Sequence, residues 1–468
     1  MDYTQAIQFL YSLAQRPANP LTLKRTKQLL ERVNNPQRGL ETFHVGGTSG
    51  KGSVVTLIAE ILQAAGYRVG VNVSPYVQVP IERLSVNGQY IAPQELTTLI
   101  AQIQPLVQQI LDEGRYGRLR YLELWMALAL LYFQQQQVDL AVIEVGVGGR
   151  YDYTNVVEPL VSTIVTVDYD HMALLGQTLP EIAYQKAGII KHGTPVVTAE
   201  HKAEALQVIQ EECQAQGSTL LRLGQDFEFT IREINQGGTV FDYRGKHTYT
   251  DLQLGLLGTH QVSNAAIALA SIEASGMPVQ EPDIRTGLAN AFIPGRLEII
   301  QRTPRVLLDS AHNTQKIGAL LQSLQQLFVW DRLIWVTGML QTKDCNPMVR
   351  ALVTLGDLLI ATEPDVVGKP ALDADALAVK AKREGIEAVV QPNPLDAIQY
   401  ALSIAGENDL ICVTGSLYLA GQIRGFWVSP EYILATRTSR PHSTSRPSPE
   451  PPSQAVVSSN HQLGITMS

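Results

Sequence analysis

A single lysine, Lys51, stands in the run "GGTSGKGS" (residues 46–53), with glycine on both sides and the hydroxyls of Thr48, Ser49 and Ser53 close by. That combination suits a phosphate group. Glycines on a strand-to-helix turn let backbone N–H groups converge on an anion at a helix N-terminus, where the helix dipole favours negative charge. A lysine there reaches the outer phosphates of a nucleotide, and a serine hydroxyl reaches its Mg2+. The common spacing G-x-x-x-x-G-K-[ST] is not met. Val45 stands at its first glycine, and Gly52 separates Lys51 from Ser53. A glycine-rich run without context is most often a plain turn, but the context here is strand, turn, helix. "ETFHV" reads as a strand, and "SVVTLIAEILQAAG" as an amphipathic helix closed by a glycine. That context raises the odds of a phosphate site formed by Gly47, Thr48, Ser49, Gly50, Lys51, Gly52 and Ser53, whose chemistry is complete although its spacing is unusual.

The elements that must hold this turn alternate short β-rich runs with longer helical ones, which predicts an α/β fold with a mainly parallel sheet. "TFHVGG", "RVGVNVS", "DLAVIEVGVG", "VSTIVTVD" and "TPVVTAE" are apolar on both faces, as strands covered by helices on either side are. From about 220 to 257, two-residue alternation with glycine turns predicts a small antiparallel sheet. After "IPGRLE" the βα alternation resumes through "RVLLDSAHN", "RLIWVTGM", "DLLIATEP", "IEAVVQ" and "DLICVTGS". The expected organisation is a P-loop-type ATPase domain over 1–297 and a smaller Rossmann-like α/β domain over 298–430. A segment over 431–468 follows, rich in Ser, Pro and Arg from about Thr436 and expected to be disordered.

Composition narrows the function classes. The 468 residues carry a formal net charge of −8 and no dense basic run, which disfavours a nucleic-acid partner. Cys213, Cys345 and Cys412 lack CxxC spacing and read as reduced thiols of a cytoplasmic protein. "MDYTQAIQFL" has no signal-peptide pattern. The apolar run "LWMALALLYF" (124–133) is about half of the ~20 residues a membrane span needs, so it reads as a core helix.

"NPQRGLETFHVGGTSGKGS" resembles the signature of the Mur ligase superfamily, and within it of folylpolyglutamate synthase and dihydrofolate synthase, whose loop reads close to HVAGTNGKGS. Further motifs follow in the family's order, through residue 425 or so. "VNVSPYVQVPIERLSVNG" is similar to the family's SPHL…NERI…ING segment, matching Ser74, Glu82 and Arg83, with Tyr76 in place of histidine. "AVIEVGVGGRYDYTN" resembles EVGLGGRLDATN and supplies Glu144. "DHMALLGQTLPEIAYQKAGI" carries His171 and Lys186, with Gln185 where the family has Glu. "LLGTHQVSNAAIALA" supplies Asn264, "PGRLE" Arg296, "LDSAHN" Asp309 and His312, and "VTGSLYLAGQIR" Ser416.

The resemblance implies an ATP-dependent ligase that joins L-glutamate to a folate or pteroate carboxylate through an acyl phosphate, releasing ADP and phosphate. It implies Mg2+ held by Ser53, Ser74, Glu144 and His171, and a carbamylated Lys186 near a second Mg2+. Asn264, Arg296 and Asp309 would hold the nucleotide across the domain junction. His312 and Ser416 would act at the glutamate and acyl-phosphate end, and Lys51, Lys186, Asp309 and His312 form the expected catalytic set. Arg83, Glu123, Tyr151, Asp152 and Tyr153 would line the acceptor pocket. Tyr76, Tyr151 and Tyr153 replace family residues there, so the acceptor could be a reduced folate, dihydropteroate, both, or a related acid. A monomer is expected. The peptidoglycan branch, which usually has a nucleotide-sugar domain before the loop, is the runner-up, and 45 residues precede Gly46 here. A catalytically silent nucleotide-binding regulator is the reading from another class.

Overall fold

In the computed structural model, which describes residues 1–14, 22–366 and 368–441, the turn at Lys51 sits at the C-terminal edge of an eight-stranded sheet. Its strands are β1 (Glu41–Gly46), β2 (Val69–Asn72), β3 (Leu84–Val86), β4 (Gln89–Tyr90), β5 (Leu140–Glu144), β6 (Val161–Ile164), β7 (Val196–Thr198) and β8 (Leu220–Arg222). The spatial order is β4-β3-β2-β5-β1-β6-β7-β8. All pairs are parallel except β2–β3 and β3–β4. Residues of β5 alternate between two cores, as the two-residue period of a strand requires. Ala141 and Ile143 pack on the side of the Tyr121–Gln135 helix, while Leu140 and Val142 pack on the side of the Lys51–Ala64 helix. The run at 124–133 is the buried heart of the first of these helices.

A three-stranded antiparallel sheet follows: β9 (Glu228–Asn235), β10 (Gly238–Arg244) and β11 (Thr248–Leu254). A six-stranded sheet completes the described chain, in the order β12-β13-β17-β14-β15-β16. It comprises β12 (Glu298–Arg302), β13 (Arg305–Leu308), β14 (Leu333–Thr337), β15 (Leu358–Ala361), β16 (Glu387–Val390) and β17 (Leu410–Thr414). Only β12–β13 is antiparallel. Both faces are covered here too, with Leu307, Trp335 and Cys412 on one side and Val306, Val336 and Val413 on the other.

The expectation of disorder from 431 onward does not hold for the residues up to 441. Ser429 caps a helix, Pro430–Thr436, whose Ile433 is buried in the core of the first sheet. The chain then runs back across that sheet. Tyr90 N–H donates to Arg437 O (2.9 Å), Arg437 Nε donates to Tyr90 O (2.6 Å), and Arg440 pairs with Glu60 (3.2 Å). The apolar triplet Tyr432-Ile433-Leu434 drives this docking, and the Ser/Pro-rich composition takes over only beyond it. Residues 442–468 lie outside the described residues. Among the described residues no helix is long and apolar enough to cross a membrane.

Candidate active site

A cleft of about 1970 Å3 lies between the large sheet and the six-stranded one, lined by residues that follow β1, β5, β6, β13 and β17. All of these are C-terminal strand ends, the edge at which open α/β sheets bind ligands.

Strand β1 delivers the glycine turn. Gly50 takes φ 83° as the N-cap of the Lys51–Ala64 helix, a left-handed conformation that favours glycine. A side chain there would also collide with Asn264, whose Oδ1 lies 2.5 Å from the position a Cβ would occupy. The turn is pinned from β6: Thr48 N–H donates to Thr166 O (2.7 Å), and Asp168 N–H donates to Thr48 Oγ1 (2.9 Å). The first intrahelical bond runs from Val54 N–H to Gly50 O (3.0 Å). The N–H groups of Lys51, Gly52 and Ser53 thus belong to the helix end that an anion satisfies. Lys51 Nζ donates to Gly47 O (3.1 Å). Thr48 through Ser53 line the cleft, whereas Gly47 sits behind them.

Register brings the carboxylate to the turn. Val45, the penultimate residue of β1, is the partner of Glu144, the last residue of β5. Glu144 is 6 % exposed, and its Oε2 accepts from Ser74 N–H (2.8 Å). Burial pushes its carboxyl up, and the charges of Lys51, Arg296 and Arg83 pull it back down. Ser53, Ser74, Glu144 and His171 all line the cleft. A hard divalent cation fits this oxygen-rich set. Gly52 shows the fit: a Cβ there would stand 3.9 and 4.0 Å from the two Glu144 oxygens and fill the gap between carboxylate and helix. The extra glycine that breaks the common motif keeps that gap open.

His171 and Lys186 are placed differently from each other. The His171 ring is half exposed at the cleft edge, with Nε2 3.9 Å from Asp170 Oδ2. Its pKa is lowered by burial, against the pull of Asp170. Lys186 is 3 % exposed and lies behind the cleft wall, at the end of the Leu179–Ala187 helix. Burial, with the like charge of Lys51, lowers its amine to about 7.

The six-stranded sheet supplies the opposite wall. Asp309, just past β13, accepts from Leu297 N–H (3.1 Å) and Ala311 N–H (2.8 Å), which ties the sheet to the segment carrying Arg296. His312 Nδ1 lies 2.8 Å from Ser310 O, and its Nε2 lies 3.2 Å from Lys316 Nζ. Burial, then Lys316, lowers the imidazole to about 3, so it is neutral. Ser416 caps the Leu417–Arg424 helix through Tyr418 N–H (3.2 Å). Asn264, Arg296, Asp309, His312 and Ser416 all face the cleft.

The expected acceptor set divides. Arg83 lines the cleft, 2 % exposed, 5.2 Å from the Trp125 ring centroid and 5.9 Å from that of Tyr121. Its Nε and Nη2 are buried without a hydrogen-bond partner in the protein, as suits a group that receives a ligand oxygen. Tyr76, also on the wall, is hydrogen-bonded to Tyr11, which stacks on Tyr121 (5.9 Å). The other four do not line the cleft. Glu123 is consumed by a buried ion pair with Arg25 (2.9 Å) and by Arg120 N–H (2.8 Å). Asp152 accepts from the N–H groups of Gly146, Val147 and Thr154 (3.2, 2.9 and 3.1 Å), bracing the turn after Glu144. Tyr153 is buried in the core, and Tyr151 is 44 % exposed.

Sequence reasoning did not single out Lys316, the Asp170–Lys343 pair that bridges the cleft (3.3 Å), or the Tyr11–Tyr76–Tyr121 cluster. Lys316 had a readable signal, since it stands four residues after His312 at a helix start. The other two join segments far apart in the chain.

Two family models match the chain: the Mur ligase middle domain over residues 45–272, and the Mur ligase, glutamate ligase domain over residues 295–417. The dihydrofolate synthase/folylpolyglutamate synthase of Bacillus subtilis is 38 % identical over 86 % of this chain and 94 % of its own length. Among solved structures, Mycobacterium tuberculosis folylpolyglutamate synthase complexed with ADP and AMPPCP is 33 % identical, with a TM-score of 0.85 over 91 % of this chain and 99 % of that one. The Thermotoga maritima folylpolyglutamate synthase is 36 % identical, with a TM-score of 0.81 over 91 % and 96 %. The chain belongs to the folylpolyglutamate synthase/dihydrofolate synthase family of the Mur ligase superfamily.

Proposed function

We propose that this protein adds L-glutamate to a folate-type carboxylate, driven by cleavage of ATP to ADP and phosphate. The observation that carries the reading is the facing of two walls across one cleft: the Lys51 turn with Glu144 on one, and His312 with Ser416 on the other. A carboxylate does not react with an amine unaided, because its oxygen is a poor leaving group. Attack by the carboxylate on the γ-phosphorus forms an O–P bond, and the bridging bond breaks with its electron pair on ADP. The neutral amine nitrogen of glutamate then attacks the acyl carbon and loses a proton, and the C–O bond breaks with its electron pair on the departing phosphate, which takes up that proton.

In this scheme Lys51 and the helix N-terminus hold the triphosphate, and Asn264, Arg296 and Asp309 hold the rest of the nucleotide. Ser53, Ser74, Glu144 and His171 are the residues that would hold Mg2+, whose charge offsets that of the phosphates. Arg83 receives the acceptor beside the Tyr76 cluster, and His312 and Ser416 serve the glutamate end. Enclosure between the walls keeps water from the acyl phosphate. The lowered amine of Lys186 supports carbamylation, since CO2 reacts with a neutral amine, and the carbamate would stand beside a second Mg2+. The acting units in this reading are residues 1–297 and 298–430, in a monomer.

The test is ADP release from purified protein with Mg2+-ATP and L-glutamate, comparing dihydropteroate with tetrahydrofolate as acceptor. Release that depends on both glutamate and one or both acceptors, and that falls more than tenfold in Lys51→Ala, is expected. Release indifferent to acceptor and glutamate, or turnover in Lys51→Ala within tenfold of wild type, overturns the reading.

A further inference from the structure

The cleft carries more positive charge than the assignments above use. Lys316 stands in the first turn of the Thr314–Leu327 helix, and its N–H donates to the capping Asn313 Oδ1 (2.9 Å), which fixes its backbone at the cleft wall. The Nζ lies 3.2 Å from His312 Nε2. The His312 Nδ1–H donates to Ser310 O (2.8 Å), which leaves Nε2 as an acceptor and therefore orients the lysine. One ammonium proton goes to the imidazole, and the others are free to meet a ligand. Lys343 in the same cleft is paired with Asp170, whereas among the described residues no carboxylate lies within ion-pair distance of Lys316, and Asp170 attracts it only from farther off. Asp170 is the carboxylate whose charge reaches Lys316, and it is itself held by Lys343. Burial, then Arg296 and Lys51, lowers the Lys316 amine to about 7. A half-buried wall that gathers this many cations is matched to an anion of several charges.

We propose that Lys316, aimed by His312, grips an oxygen of the phosphoryl group in transit, from its departure from ATP until the amine displaces it. This inference rests on the ligase reading above. A phosphoryl oxygen is favoured over the amino acid's carboxylate because Lys316 lines the same cleft as Lys51 of the nucleotide turn and Arg296 of the domain junction, and it feels the charge of both, together with that of the Asp170–Lys343 pair. Lys316 gives up no proton in either step. It stabilises charge that moves from the γ-phosphoryl group onto the acyl phosphate and then onto released phosphate.

The experiment compares wild type, Lys316→Met and Lys316→Arg in the full chain. Acyl phosphate formed from ATP and acceptor without glutamate is trapped with hydroxylamine, glutamate KM is measured separately, and the Kd of inorganic phosphate is measured on ADP-saturated protein. Lys316→Met should slow trapping by about 100-fold and weaken phosphate binding at least tenfold. Its ADP affinity and glutamate KM should stay within threefold of wild type, and Lys316→Arg should retain more than a tenth of the trapping rate. Trapping and phosphate affinity within threefold of wild type overturn the proposal. So does a loss confined to glutamate KM, which would assign the ammonium to the amino acid's carboxylate. If Lys316→Met fails to bind ADP, Lys316→Arg decides. Full phosphate affinity with a raised glutamate KM counts against the proposal, and the reverse pattern supports it. A wild-type protein that traps nothing with any acceptor sinks the ligase reading itself, while the phosphate Kd values still report on Lys316.

Discussion

Gly52→Ala separates the chemistry of the turn from its stability. Gly52 is the second residue of the Lys51–Ala64 helix, where alanine is favoured over glycine by about 0.5–1 kcal/mol. The new methyl group would meet only the two Glu144 oxygens, at 3.9 and 4.0 Å, which is ordinary van der Waals contact. Folding should therefore be unharmed or slightly improved. The same methyl group closes the gap between carboxylate and helix end, so no ligand atom fits there. Disturbing the surroundings of a bound metal typically costs 10–100-fold in metal affinity or activity, so kcat/KM for ATP should fall by roughly that factor. Part of the loss should be recovered at high Mg2+ concentration. Steady-state ADP release over a Mg2+ titration, with a thermal melt of the same preparation, reads both quantities. Activity within threefold of wild type at every Mg2+ concentration would refute the role given to Gly52. So would a loss accompanied by a lowered melting temperature, because the damage would then be structural.

Asp152→Asn should place an amide N–H2 against a backbone N–H of the turn after Glu144, costing about 1–3 kcal/mol and lowering the urea midpoint; an unchanged midpoint would contradict the bracing role. Burial, then Lys191, lowers His44 from 6.5 to about 3 in the fold, so between those pH values the unfolded chain binds a proton that the folded one does not. Stability should accordingly fall as pH drops below 6.5, by up to about 1.4 kcal/mol per pH unit from this group. His44→Gln should flatten that slope in denaturation series at pH 7 and pH 5.5. Ending the chain after residue 441 should leave ADP release intact. Ending it after Thr436 removes the Ser439 carbonyl that accepts from buried Arg424, at a cost of about 1–3 kcal/mol, and a melt of the two truncations shows the difference.

What the sequence made legible follows from what is local. Glycine spacing, the strand before it and the helix after it mark the turn at Lys51 without any tertiary information, and apolar runs mark both parallel sheets. Glu144 could be placed at a strand end, but its position beside the turn depends on the register of β1 with β5, which no local pattern encodes. Glu123 shows the reverse failure. Its place in a motif drew it into the acceptor set, yet Arg25, 98 residues earlier, takes its charge. The β3–β4 hairpin was readable in the Asn87-Gly88 pair, whose positive φ values of 47° and 72° suit a tight hairpin turn. The helix Pro430–Thr436 was masked by the Ser/Pro composition that follows it. Composition averages over a window, whereas docking here needs only the three consecutive apolar side chains of Tyr432, Ile433 and Leu434.

The central claim is that the acceptor's carboxylate is phosphorylated before the amine attacks it. Running the reaction with acceptor labelled with oxygen-18 in that carboxylate, and analysing the released phosphate by mass spectrometry, tests it directly. One labelled oxygen should appear in each phosphate formed, and Lys51→Ala should release none above background. Phosphate that carries no label while glutamylated product accumulates would contradict the account.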